Sequence, residues 1–172
     1  MIKIIGILLI LISSALIGTY FLKRHLYYVE DLQMLYKGLT MLESEIYYSK
    51  SPLPIALEQI GIRLETNVRL FFIETTKELK KKTGKSISVI WEDIIKKNIE
   101  YTYLTSEEER LLVSFGKTLG YLDREMQIKN IMLIKSYLEE QIQQAINYKN
   151  QQAKLYQRLG ILGGLLISII LF

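Results

Sequence analysis

The chain has 172 residues, of which 49% are hydrophobic, and it carries a formal net charge of +4. This length fits one domain, alone or with membrane segments. The sequence has one histidine and no cysteine, which excludes disulfide bonds, thiol chemistry and cysteine metal sites. No stretch alternates with a period of two for long, so we predict an all-α fold. One histidine and dispersed carboxylates do not define a metal site, and we expect no bound metal and no cofactor.

The first apolar stretch, residues 4–22, is 19 residues long and contains no charge. As a helix it would span about 28 Å, close to the roughly 30 Å thickness of the hydrocarbon layer. We therefore predict an N-terminal transmembrane helix at residues 1–22. A cleaved signal peptide is the alternative, because Ser13 and Ala15 have the spacing of a cleavage site. The apolar run continues past Ala15, which favours an uncleaved anchor.

A stripe of leucines follows the basic residues Lys23 and Arg24, with steps of three and four that make one helix face apolar. We predict that the membrane segment and the stripe form one long helix ending near Ser49. We interpret His25, the single histidine, as a membrane-boundary residue and not as a catalyst. The stripe consists of Leu32, Leu35, Leu39, Leu42 and Ile46.

The stripe stops at the sequence Ser51-Pro52-Leu53-Pro54. Ser51 can cap a new helix, and Pro52 suits the first helical position, where an N–H has no partner to lose. We predict a sharp reversal of the chain here. A second helix then folds back onto the first and runs to about Arg63.

Four more helices are predicted from capping residues and apolar spacing. Gly84 suits the left-handed end of the third helix, and Trp91 lies on the apolar face of the fourth. Glu108 stands three residues after a threonine, which indicates a capping box at the start of the fifth helix. The predicted capping residues of the third, fourth and fifth helices are Asn67, Ser86 and Thr105, and the sixth helix is predicted to run from Asp123, whose charge suits the helix dipole.

Two glycines four residues apart, Gly116 and Gly120, place small surfaces on one face of the fifth helix. We interpret them as packing residues that allow a neighbouring backbone to approach closely. The expected neighbour is either the turn near Pro52 or the sixth helix.

A second uncharged stretch, residues 159–172, ends the sequence. Its 14 residues reach roughly 21 Å, which is short for a full span but sufficient where the bilayer thins. Gly160, Gly163 and Gly164 offer small surfaces for close contact between membrane helices. We predict a C-terminal transmembrane helix at residues 159–172. A half-inserted tail and a buried core helix are the alternatives.

Basic residues flank the inner ends of the two apolar segments, whereas Lys3 alone lies outside them. Because positive charge is retained on the cytoplasmic side of a membrane, we expect residues 23–158 to be cytoplasmic. The predicted architecture is a six-helix antiparallel bundle, residues 23–158, flanked by an N-terminal and a C-terminal transmembrane helix.

The sequence offers little for catalysis. Gly84-Lys85-Ser86 resembles the end of a phosphate-binding loop, but Leu79 stands where that loop requires a glycine. Glu43 and Glu45 are two residues apart on a helix, so they do not face each other as an acid–base pair. We therefore expect no enzyme activity and, at a charge of +4, no nucleic-acid partner.

Several segments together resemble the stage III sporulation protein AB family of endospore-forming bacteria. They follow one another in the family's order and cover nearly the whole chain. One departure is Ile55, where the family usually has glutamate. The matching segments are Leu42-Glu43-Ser44-Glu45-Ile46, residues 51–57, Trp91, residues 115–120 with Asp123 and Gln127, Leu155-Tyr156, and residues 159–165.

This resemblance implies a component of the channel complex between mother cell and forespore, located in the outer forespore membrane. The family is similar to the F-type platform protein of type II secretion and type IV pilus systems. By that analogy, the partners are a cytoplasmic secretion-type ATPase and the other channel subunits. A membrane-anchored signalling or regulatory adaptor is the alternative, and homo-oligomer formation is left open.

Five residues are expected to dock a partner: Glu43, Glu45, Pro52, Leu53 and Pro54. Both glutamates lie off the leucine stripe, so we expect their carboxylates to be exposed and to contribute little to folding.

Overall fold

The computed structural model describes the backbone of residues 2–48, 52–120 and 123–171, and the side chains of residues 23–48, 52–120 and 123–148. The described residues are all-helical, with no strand, and they form six α-helices joined by short turns. The helices are α1 (Ile2–Tyr48), α2 (Leu53–Arg63), α3 (Arg69–Lys80), α4 (Ile87–Asn98), α5 (Ser106–Gly116) and α6 (Arg124–Leu171), with a 3₁₀ turn at Ile99–Tyr101.

The two long helices, α1 and α6, pack against each other over their described side chains and run antiparallel. His25 in the middle of α1 contacts the carbonyl of Ala145, whereas Glu43 near the C-terminal end of α1 contacts Lys135, which comes earlier in α6. The predicted leucine stripe explains this pairing, because four of its five members are buried in one cluster with the apolar face of α6. The buried residues of this seam are Leu32, Leu35, Leu39 and Leu42 of α1, and Ile131, Ile134 and Leu138 of α6.

The four short helices form a second layer, in which each helix packs antiparallel to the next one along the chain. The hydroxyl of Thr76 in α3 donates to the carbonyl of Pro54 in α2, and Lys80 pairs with Glu58 at 2.7 Å. Glu74 of α3 in turn accepts a hydrogen bond from Asn98 of α4.

Three aromatic side chains join the middle of this layer. The indole of Trp91 packs edge-on against Phe72 and Phe115, with ring centroids 5.7 and 5.8 Å apart. All three side chains are buried, and edge-to-face pairs of this kind stabilise a core beyond the area that they bury. Trp91 therefore connects α3, α4 and α5 in a single apolar cluster.

Most of the predicted helix boundaries agree with the structure. Ser86 caps α4 by accepting a hydrogen bond from the backbone N–H of Val89, and Thr105 and Glu108 form the predicted capping box of α5. The six predicted helices all exist, because capping residues and apolar spacing are local signals that are readable from the sequence.

Two predicted helix starts are wrong in detail. Asn67 does not cap α3 with its side chain; the Nδ2 group donates instead to the carbonyl of Tyr101 at 2.7 Å, and Val68 occupies the N-cap position. Pro52 is the N-cap of α2 and not its first helical residue, and its carbonyl accepts from Ile55 and Ala56. The predicted cap Ser51 lies outside the described residues.

The two predicted transmembrane helices, 1–22 and 159–172, lie outside the residues whose side chains are described. Among residues 23–48, 52–120 and 123–148, no helix has the length and apolarity needed to cross a bilayer.

Two glycines adopt the left-handed backbone conformation. Gly84 and Gly120 both have φ near +81°, and the two sites differ in their surroundings. A Cβ at Gly84 would meet nothing within 4 Å, whereas a Cβ at Gly120 would lie 3.0 Å from Cγ2 of Ile87. Substitutions at these two glycines therefore distinguish the cost of backbone strain from the cost of side-chain crowding.

We predict that Gly84→Ala lowers the free energy of unfolding by about 1–2 kcal/mol, the cost of a left-handed residue with a Cβ. Gly120→Ala should lower it further, because Ile87 must also shift. Thermal unfolding of the full chain in a mild detergent, followed by circular dichroism, measures both changes. An equal loss in the two variants would mean that Ile87 moves away without cost.

Candidate interaction surface

The residues that the sequence singles out for docking lie in the last two turns of α1 and at the start of α2. We call Glu43, Glu45, Pro52, Leu53 and Pro54 the proline-corner surface. Hydrogen bonds fix its backbone: the Pro52 carbonyl accepts the N–H of Ile55 at 2.9 Å, and the Pro54 carbonyl accepts the hydroxyl of Thr76 at 3.3 Å. The start of α2 is therefore held against α3.

Glu43 differs from its predicted environment. Its carboxylate forms a 2.7 Å ion pair with Lys135 of α6, and only 18% and 17% of the two side chains are exposed. The ammonium group of Lys135 also lies 5.2 Å from the centre of the Tyr36 ring, within the range of a cation–π contact. The expectation of an exposed Glu43 carboxylate is wrong, because α6 covers the side of α1 to which Glu43 points.

Glu45 has a different environment although it is only two residues away. Its side chain is half-buried, and within the described residues it forms no ion pair. Apolar side chains are exposed at the end of α1 and the start of α2: 82% of Tyr48 is accessible, and Ile55 is also exposed. Exposed apolar groups near a rigid corner are typical of surfaces that other proteins cover.

Gly116 packs against α4. A Cβ at Gly116 would overlap the indole of Trp91, whose Nε1 donates to the carbonyl of Leu112 at 2.8 Å. The neighbour of Gly120 is Ile87, also on α4. The expected neighbours, the turn near Pro52 and the sixth helix, are therefore wrong for both glycines.

Asp123 precedes α6, and its Oδ1 accepts the backbone N–H of Met126 at 2.9 Å. This bond satisfies one of the free N–H groups in the first turn of the helix. Gly160, Gly163 and Gly164 belong to the helical backbone of α6, but their surroundings lie outside the described residues.

Glu108 connects three helices, although the sequence predicts only its role in the capping box. Only 1% of this residue is exposed. Its Oε2 accepts the N–H of Thr105 at 2.7 Å, and its Oε1 accepts the hydroxyls of Tyr28 of α1 and Tyr137 of α6 at 3.1 and 3.3 Å. The capping-box pattern in the sequence predicts the bond between Glu108 and Thr105. It does not predict the bonds from Tyr28 and Tyr137, which are 80 and 29 residues away from Glu108.

The tyrosine hydroxyls around Glu108 are held in their protonated form. Burial and the negative charge of Glu108 raise the pKa of both Tyr28 and Tyr137 well above the ordinary tyrosine value. Protonated hydroxyls can donate to the carboxylate, so the buried charge is stabilised by hydrogen bonds. We interpret this cluster as a structural link between α5 and the long helix pair.

No catalytic constellation is visible in the described part of the chain. No group of three histidine, cysteine or acidic residues there is placed to hold a metal ion. Gly84-Lys85-Ser86 joins two helices, and the ammonium group of Lys85 pairs with Asp93 at 3.1 Å. A phosphate-binding loop requires a preceding strand and a free lysine, and this turn provides neither.

Fold and site together define an all-helical protein in which a long antiparallel helix pair carries a layer of four short helices. Its buried polar side chains bridge one helix to another. The model of the family described as stage III sporulation protein AB matches residues 3–172, and the chain belongs to this family.

Two relatives support this assignment. Stage III sporulation protein AB of Bacillus subtilis (strain 168) is 31% identical over 171 residues, which is 99% of each chain. A solved structure of stage III sporulation protein AB (SpoIIIAB) is 32% identical, with a TM-score of 0.67, and the match covers 73% of this chain and 98% of that one. The resemblance identified from the sequence is thus confirmed.

We predict that Glu43→Gln lowers the free energy of unfolding by about 1–3 kcal/mol, because it leaves the ammonium group of Lys135 without its carboxylate. Glu45→Gln is the matched control and should change stability by less than about 0.5 kcal/mol. Thermal unfolding of the full chain compares the two. Equal stability of both variants would show that the ion pair contributes nothing to the packing of α1 on α6.

Proposed function

We propose that this protein is a non-enzymatic, membrane-anchored platform subunit of the channel complex between mother cell and forespore. Membership of the stage III sporulation protein AB family supports a role in sporulation. The observation that carries the platform proposal is the direction of the long helices. Residues before His25 and after Ala145 leave the bundle at the same end, so the two apolar sequences could enter one membrane.

The proposed location is the outer forespore membrane, with residues 23–158 in the cytoplasm of the mother cell. The basic residues next to the apolar sequences support this orientation through the positive-inside rule. Lys23 and Arg24 follow the first apolar sequence, and Arg158 precedes the second.

The proline-corner surface is the proposed docking site for a cytoplasmic secretion-type ATPase. From Lys23 to Tyr48, α1 rises about 38 Å at 1.5 Å per residue, so the corner would stand well clear of the headgroups. Other channel subunits would contact the protein nearer the membrane. The ion pair between Glu43 and Lys135 supports this role by fixing α6 beside the corner.

A non-enzymatic role agrees with the way in which the described polar side chains are used. The buried carboxylate of Glu108 and the buried amide of Asn98 both bond within the fold. A subunit of this kind would act by positioning its partners.

We predict that the cysteine variant Thr83→Cys is protected from a membrane-impermeant maleimide in intact cells and reacts after lysis. Thr83 is exposed in the turn between α3 and α4, and the natural chain has no other thiol. The labelled chain should sediment with the membrane fraction. Labelling in intact cells would invert the topology, and recovery in the soluble fraction would contradict membrane anchoring.

We predict that the double variant Glu45→Lys with Ile55→Lys weakens recovery of the ATPase with the tagged full chain by at least about tenfold. Two introduced charges would face the interface, where like charges and desolvated ammonium groups are costly. Pull-down from detergent extracts, quantified with an antibody to the ATPase, measures the effect.

The matched control is Glu139→Lys with Ile62→Lys, which makes the same changes at exposed positions of α6 and of the far end of α2. It should retain wild-type recovery. Equal recovery from both double variants and the wild type would exclude the proline-corner surface as the docking site.

A further inference from the structure

A cavity lined by tyrosines lies at the end of the bundle opposite to the proline corner. Its volume is about 250 Å³, and it opens to solvent between α1 and the two turns that precede α3 and α5. We call it the tyrosine pocket. Its lining residues are Tyr27, Glu30, Asp31, Glu65, Thr66, Asn67, Tyr101 and Tyr103.

The tyrosines of this pocket are exposed even though they are held in place. The rings of Tyr27 and Tyr103 stack with their centroids 5.0 Å apart, and both side chains are exposed. Tyr101 is also exposed, and its carbonyl accepts the side-chain amide of Asn67. Rigid, exposed aromatic rings around a concave site are typical of the anchoring points of protein interfaces.

The charge of the pocket has one sign. Three carboxylates line it, those of Glu30, Asp31 and Glu65, and no lysine or arginine is among the lining residues. Glu30 and Glu65 are exposed, and they form no ion pair within the described part of the chain. A ligand that complements this lining carries positive charge and a flat or apolar surface that can contact the rings.

Asp31 is a buried member of the pocket lining, and a hydrogen bond holds its carboxylate in place. Only 4% of this residue is exposed, and its Oδ2 accepts the backbone N–H of Tyr103 at 2.7 Å. Burial raises the pKa of the Asp31 carboxyl, although the bond from Tyr103 opposes this effect. A cation in the pocket would stabilise the ionised carboxylate, so binding and ionisation would favour each other.

We propose that the tyrosine pocket binds a lysine or arginine side chain that flanks a membrane helix of a partner protein. Cations bind well over tyrosine rings, and the three carboxylates supply the opposite charge. A guanidinium group can stack on a ring and donate to a carboxylate at the same time, so arginine is the better fit.

The position of the pocket indicates where the cation comes from. Tyr27 lies five residues after the first apolar sequence, which is about 8 Å along a helix. If residues 1–22 are anchored as proposed above, the pocket opens close to the cytoplasmic headgroups. Membrane proteins concentrate their lysine and arginine residues in this layer, next to their transmembrane helices.

The test uses the full chain in a non-ionic maltoside detergent, with N-acetyl-arginine amide as the probe. Binding is followed by NMR chemical-shift changes of tyrosine ring signals, with N-acetyl-citrulline amide as the uncharged probe of the same shape. We expect saturable binding of the arginine probe in the millimolar range, as for a ligand of this size, and none of the citrulline probe.

The variant Glu30→Gln with Glu65→Gln should weaken binding of the arginine probe by at least about tenfold, because two of the three carboxylates are neutralised. The matched control, Glu125→Gln with Glu139→Gln, removes the same charge from exposed positions of α6 and should bind as the wild type does. Equal affinity in all three chains, or equal binding of citrulline, would overturn the proposal.

A lipid headgroup is the competing source of a cation. Glycerophosphoethanolamine, titrated under the same conditions, should bind at least about tenfold more weakly than the arginine probe; equal or tighter binding would overturn the assignment to a protein partner. These measurements involve neither the ATPase nor an intact bilayer. Their failure is therefore distinct from failure of the platform proposal, which the maleimide and pull-down experiments test.

Discussion

The apolar seam between α1 and α6 is the constraint on which the rest of the fold depends. Its four leucines are fully buried, and α6 supplies Ile131, Ile134 and Leu138 on the facing side. The short helices extend the same core, because Phe71, Phe72 and Trp91 belong to one cluster with these leucines. Burial of large apolar side chains is worth about 1.5–3 kcal/mol each, so the combined effect of this seam exceeds that of any polar contact among the described side chains.

Polar contacts on the seam determine how the two long helices align. His25 with Ala145 and Lys135 with Glu43 lie at different heights along α6, and Glu108 of α5 bridges Tyr28 of α1 to Tyr137 of α6. Apolar packing alone tolerates displacement by a helical turn, whereas buried polar groups lose their partners if the helices shift. The two long helices thus pack in one register, and Glu108 fixes the position of α5 relative to them.

The sequence predicts the six helices and most of their ends, because spacing and capping involve residues within one or two turns. The sequence does not predict which helix surfaces pack against one another. Glu43 lies off the leucine stripe and yet is covered by α6, and Gly116 contacts α4 because Trp91 occupies the adjacent space. Asp31 directly precedes the stripe residue Leu32, but its partner, the N–H of Tyr103, is 72 residues away. Contacts of this range depend on the tertiary arrangement, which local patterns do not contain.

The continuity of α1 has a mechanical consequence. The helix runs for 47 residues, about 70 Å, and contains no proline that would act as a joint. Residues 23–48 of α1 pack against α6, so bending the helix there would break the packing between the two helices. A force applied at the corner would therefore tilt the rod as a whole, and a displacement at Tyr48 would be accompanied by movement of its N-terminal half.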